Sequence, residues 1–314
     1  MHPALSVIVF TVASGAGYGL LLLAALLAAS GFLPADAWLT VVIILLSLGL
    51  VSIGLLCSTW HLGHPERAWR AVSQWRSSWL SREGLFALLT YPVALAFAAG
   101  WLCDGADEWW RPLALATALL AVVTVLCTAM IYASLKPVHQ WHNRWVVPCY
   151  LGFALFSGAL WLDAVRLVFR LPLPHLNGLC FALVTIALAL KLGYWHFIDT
   201  SRSRATPESA TGLGAIGQVR PLDPPHTEEN YLLKEMGYRI ARKHRLKLRR
   251  VVLAFAFAVP LAGMVATHLL AGPWSAVPAV LAAASAMLGL LVERWLFFAE
   301  AKHTVTLYYY AAAV

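Results

Sequence analysis

Charged side chains are scarce in this chain. Asp, Glu, Lys and Arg make up 12% of its 314 residues, about half of what a soluble domain carries, which excludes an ordinary water-soluble fold. Paired cysteines are missing as well. Cys57, Cys103, Cys127, Cys149 and Cys180 stand singly, with no CxxC among them. An iron–sulfur cluster or a zinc site would lack its ligands, so no metal is expected in this chain. Cysteines spaced in this way read as small buried apolar residues. None of the 11 histidines falls in the middle of a long apolar run: His61, His64, His139, His142 and His196 flank the runs at one face, and His268 lies near the other. Two b-type haems need histidines at two depths on facing helices, so no haem is expected either.

What is abundant is apolar. Hydrophobic residues reach 61% and the mean hydropathy is +0.72. Eight runs attain the roughly 20 residues that cross a bilayer's hydrocarbon: 5–29, 38–60, 83–102, 112–134, 147–168, 177–199, 251–271 and 276–298. The first has no small-residue cleavage site and reads as a retained helix rather than a signal peptide. The fold class is therefore all-α, a polytopic membrane protein of eight transmembrane helices. It is expected to form one membrane domain over 1–314, grouped as two four-helix bundles.

The net charge of +8 raises nucleic acid as a partner, but its distribution speaks for topology. With eight spans both termini share a face with segments 61–82, 135–146 and 200–250. These segments and the tail hold 18 of the 23 Lys and Arg residues, against Arg111 and Arg170 opposite. Basic connections stay in the cytoplasm. The reading is a bacterial inner-membrane protein with cytoplasmic termini and no nucleic-acid partner.

Seven spans are joined by short connections, and the exception is the 51-residue segment 200–250. Its first half is rich in Ser, Thr, Gly and Pro and is expected to be irregular. From Thr227, Leu232, Leu233, Met236 and Ile240 recur at helical spacing, which predicts an amphipathic helix leading into span seven. Such a helix serves as a lipid-headgroup anchor or as a docking surface for a soluble partner, and the long lead-in favours docking. In span one, Gly15 and Gly19 form a GxxxG pair, read as helix packing.

A pump or ion-coupled transporter needs ionisable groups along a path through the bilayer. Lys191, Glu293 and Arg294 all fall in one third of spans six and eight, while Asp163 and Arg166 are spaced as a local ion pair near the opposite end of span five. No transmembrane relay emerges. The concentration lies instead in TWHLGHPERAWRAVSQWRSSWLSRE at 59–83, with LKPVHQWHNRW at 135–145 on the same face. Imidazole, carboxylate and guanidinium groups beside Trp60, Trp69, Trp79 and Trp141 suit a quinone, whose ring needs apolar walls, hydrogen-bond donors and proton carriers. An aromatic belt with snorkelling arginines explains the same residues.

HLGHPERAWRAVSQWRSSWLSRE resembles the signature of the DMSO reductase anchor subunit (DmsC-type) family, HLG-x-P-x-R-A followed by S-x-L-S-x-E. ERWLFFAEAKHTVTLYY at 293–309 and the eight-span plan support the resemblance. It implies an anchor for a molybdopterin catalytic subunit and a four-cluster [4Fe-4S] subunit, exchanging electrons with ubiquinone or menaquinone without a haem of its own. It also implies that His61 and Glu83 belong to the quinone site, and that His64, Arg67, Arg70, Trp79 and Ser81 shape its rim or the docking surface above it. The basic face and the long 200–250 segment are similar to the cytoplasmic sulfite dehydrogenase (Soe-type) branch. An anchor of a DMSO or other oxoanion reductase is the alternative, with a transporter or a purely structural anchor behind it.

Overall fold

The computed structural model describes residues 5–60, 62, 64–103, 108–201, 206–220, 222–223, 239–270 and 272–304. Among the described residues eight helices are long and apolar enough to cross a membrane: α1 (Leu5–Ala29), α2 (Ala37–Trp60), α3 (Trp79–Leu102), α4 (Arg111–Ala133), α5 (Val146–Val168), α6 (Pro174–Thr200), α7 (Arg245–Leu269) and α8 (Ala276–Ala299). Among the described residues there are no strands, only an isolated bridge between Val138 and His303. Lipid offers no partner for backbone groups, so each span must close its own hydrogen bonds, as a helix does.

Two spans begin earlier than the sequence predicts, α3 at Trp79 rather than 83 and α7 at Arg245 rather than 251. The apolar count stopped at charges, whereas a helix starts where its first amide groups are satisfied. Ser78 caps α3 by accepting from the Ser81 amide at 3.4 Å, so Glu83 sits a full turn inside the helix.

Helix α1 is the axis of the molecule and packs against α2, α4, α5 and α8. Its glycines explain how. A Cβ on Gly17 would strike the Ser47 carbonyl of α2; one on Gly19 would strike the Ala154 carbonyl of α5, and one on Gly158 would strike Gly19 in return. Small residues at such crossings let backbones approach closely. Gly15 takes no part, since a Cβ there meets nothing within 4 Å. These contacts do not separate the spans into the two four-helix bundles expected from sequence. Helix α5 touches α1, α4, α6 and α8, and joins early spans to late ones.

Helix α7 carries a π-helical turn at Leu253–Ala258, just before Pro260. Proline has no amide hydrogen to give the preceding turn. Ser285 of α8 donates to the Phe255 carbonyl at 2.8 Å, and Gly289 admits the widened turn against Ala256.

The basic face is laced together by arginines. Arg249 at the start of α7 donates to Asp199 at the end of α6 (2.5 and 3.0 Å) and to Glu300 beyond α8 (2.8 Å). Burial pushes the Glu300 carboxyl above its ordinary range, against the pull of Lys191 and Arg249. Arg242 donates to the carbonyls of Ala299 and Ala301, both at 2.9 Å, which closes the end of α8. Within 200–250, short helices occupy Pro207–Thr211 and Arg239–Lys243. The predicted amphipathic helix falls mainly on 227–238, with Leu232, Leu233 and Met236, which lie outside the described residues.

Candidate functional site

The connection from α2 to α3 contains a 3-10 helix over Pro65–Gln74. Proline at its start supplies a fixed φ and forfeits an amide that would have had no partner. The loop is held to α3 by two side chains. Ser81 donates to the Ala71 carbonyl. Arg82 donates to the carbonyls of Trp75 (2.9 Å) and Arg76 (2.7 Å), and its guanidinium lies 4.3 Å from the Trp79 ring centroid. These bonds close the connection onto the start of α3.

Glu83, one turn into α3, is 4% exposed. Thr128 of α4 donates to its Oε1, while also donating to the Thr124 carbonyl at 3.1 Å. Tyr18 of α1 stands within electrostatic reach of Glu83 and Tyr91. Tyr91 in turn shares a 2.7 Å hydrogen bond with Ser52 of α2. A carboxyl buried among hydroxyls in an otherwise apolar bundle is costly unless its oxygens are satisfied. Such a group is suited to accept or release a proton.

The sequence-derived residues divide. Trp79, Ser81 and Glu83 come together in the first turns of α3, with Ser81 and Glu83 buried and Trp79 half-buried. His64, Arg67 and Arg70 are exposed on the 3-10 helix. His64 meets Glu66 at 2.9 Å, Arg67 meets the same carboxylate at 3.8 Å, and Arg70 lies over Trp69 at 5.5 Å. His61 lies outside the described residues.

Sequence reasoning missed the second half of the polar layer. Lys191 of α6 and Glu293 of α8 form an ion pair with 1% exposure on each side, and Arg294 reaches the other oxygen of Glu293 at 3.0 Å. Arg294 also lies 3.9 Å over the Tyr150 ring of α5, and Lys191 lies 4.3 Å over Tyr194. Lys191, Glu293 and Arg294 were legible as charges in apolar runs, but their partnership spans 102 residues of chain. Thr128 gave no signal, because threonine is common in transmembrane helices. At the opposite end, Arg166 joins Asp163 (2.7 Å) to Asn177 (2.5 Å), and Asn177 meets His268 at 3.1 Å. That confirms the expected local pair. Among the described residues no group of three or more His, Cys, Asp or Glu side chains is arranged to hold a metal ion.

A family model described as DMSO reductase anchor subunit (DmsC) matches residues 1–211. Over 336 aligned positions the chain is 34% identical to a sulfite dehydrogenase subunit of Allochromatium vinosum, with all of both chains covered. No solved structure matches it. Eight spanning helices and these matches together show that the chain belongs to the DMSO reductase anchor subunit family, and is the multi-pass membrane anchor of an oxidoreductase.

Proposed function

We propose that this anchor is haem-free and quinone-reactive. It passes electrons between a four-cluster iron–sulfur subunit and the quinone pool of the inner membrane, in a sulfite:quinone oxidoreductase whose molybdopterin subunit acts on substrate. The observation that carries this reading is the Glu83 carboxyl, buried at the start of α3 and hydrogen-bonded by Thr128 under the motif-bearing loop. Reducing a quinone to a quinol consumes two electrons and two protons. The electrons come from the partner's clusters, and Glu83 and His61 deliver protons to the ring oxygens. The basic face is cytoplasmic in this reading. Exposed His64, Arg67 and Arg70 form the rim on which the iron–sulfur subunit rests.

The test uses the assembled complex. Glu83→Gln and His61→Ala should lower quinone-linked turnover at least 100-fold, roughly the scale of a positioned proton carrier, and leave dye-linked oxidation by the partner subunits intact. Normal quinone kinetics in both variants would sink the assignment. A second reading is favoured by the family match itself: an anchor of a DMSO or other oxoanion reductase, in which Glu83 accepts protons from quinol. Comparing quinone-linked turnover with sulfite and with DMSO separates the two.

A further inference from the structure

The cations around the start of α7 are of two kinds. Arg242, Arg245 and Arg249 are committed within the chain. Arg242 donates to the carbonyls of Ala299 and Ala301, Arg249 donates to Asp199 and Glu300, and Arg245 lies 3.6 Å from Asp199. Lys243, Lys247 and Arg250 are exposed, and their side chains have no ion pair or hydrogen bond among the described residues.

The uncommitted residues belong to one row. Lys243, Lys247, Val251, Phe255 and Val259 recur every four positions, a spacing that brings side chains on successive turns together, and all five are exposed. The Leu248 amide donates to the His244 carbonyl at 3.0 Å, which carries the helix across the join at His244. Val251, Phe255 and Val259 are 37%, 43% and 41% exposed, and apolar side chains left outside the bundle of a spanning helix face hydrocarbon. The row therefore changes from cation to apolar between Lys247 and Val251, with Arg250 beside the change. Lysine and arginine stems lie along apolar surface and keep their charged ends in the headgroup layer. Phosphate matches the three cations, and acyl chains match the apolar row that continues from them. An acidic phospholipid carries both, whereas a free phosphate or a soluble partner would meet the cations alone.

We propose that Lys243, Lys247 and Arg250 bind the headgroup of an acidic phospholipid whose acyl chains lie along Val251, Phe255 and Val259. The site does not depend on the reading of Glu83. Each basic residue at an anionic lipid surface favours it by about fivefold, so the three together select such a lipid over a zwitterionic one by on the order of 100-fold. The selection weakens as salt is raised, because exposed charges are screened.

The experiment is native mass spectrometry of the complex released from vesicles of equal phosphatidylglycerol and phosphatidylcholine at low salt. The wild-type complex should retain phosphatidylglycerol over phosphatidylcholine by on the order of 100-fold. The triple variant Lys243→Gln/Lys247→Gln/Arg250→Gln should lose this preference, and Lys243→Arg/Lys247→Arg should keep it. Arg144→Gln removes an exposed cation outside the row and should leave the preference unchanged. Equal retention of phosphatidylglycerol by the wild type and the triple Gln variant overturns the proposal. So does an equal loss in Arg144→Gln, which would mean diffuse surface charge. Two further results would assign the surface to another occupant and overturn the lipid. One is displacement of phosphatidylglycerol by inorganic phosphate at comparable concentration. The other is release of the partner subunits from the triple variant with lipid retention unchanged.

Discussion

Glu293 illustrates what single residues do in this bundle. It is 1% exposed and carries two cations, Lys191 on one oxygen and Arg294 on the other. Removing one partner of a buried pair costs about 3–5 kcal/mol, because the remaining charge stays buried. Glu293→Gln leaves two cations facing each other and should lower the thermal midpoint of the detergent-purified complex sharply. Lys191→Met leaves Glu293 still paired with Arg294 and should cost far less, and the double variant should recover much of the loss. Thermal unfolding followed by circular dichroism ranks the three; equal midpoints for Glu293→Gln and Lys191→Met would refute the shared-carboxylate account. Residue-scale legibility was uneven. Glu83 was readable because it ends a motif at a helix start. Its partner Thr128 was not, because a hydroxyl among apolar residues carries no pattern until a second helix faces it.

Between helices, packing depends on where backbones approach. Sequence marked Gly15 and Gly19 together as a GxxxG pair, yet only Gly19 is a crossing point, facing Ala154 and Gly158 of α5. The spacing tells that two glycines share a face; it does not tell which one a neighbour meets. Gly19→Val should push α1 off α5 and deplete the anchor from membranes, whereas Gly15→Ala should leave its level unchanged. Immunoblotting of membrane fractions checks both, and a normal level of Gly19→Val would contradict this crossing. The early starts of α3 and α7 have a related cause. Hydropathy counts side chains, while a helix boundary is set by backbone amide groups and their caps.

For the whole molecule, α1 and α5 join what the sequence divided into halves, and the residues after α8 are stitched to the 135–146 connection. The Thr304 amide donates to the Pro137 carbonyl at 3.0 Å, Lys302 to Gln140 at 3.0 Å, and Trp141 to the Phe297 carbonyl at 3.0 Å. The end of α8, which supports the family resemblance, and the histidine-bearing 135–145 connection therefore share one face. Deleting 205–225 from the connection between α6 and α7 should release the iron–sulfur subunit into the soluble fraction while the anchor stays in the membrane. Undiminished retention would argue against docking through this segment. The sequence by itself determined the number of spans, their helical state and the sidedness of charge. A bilayer imposes these through length, backbone satisfaction and the cost of moving basic residues. Only the tertiary structure decided that Glu83, Thr128, Arg294, Glu293 and Lys191 form one buried layer. Those residues come from four helices, α3, α4, α6 and α8, as far apart in the chain as Glu83 and Arg294, so no local pattern encodes their meeting.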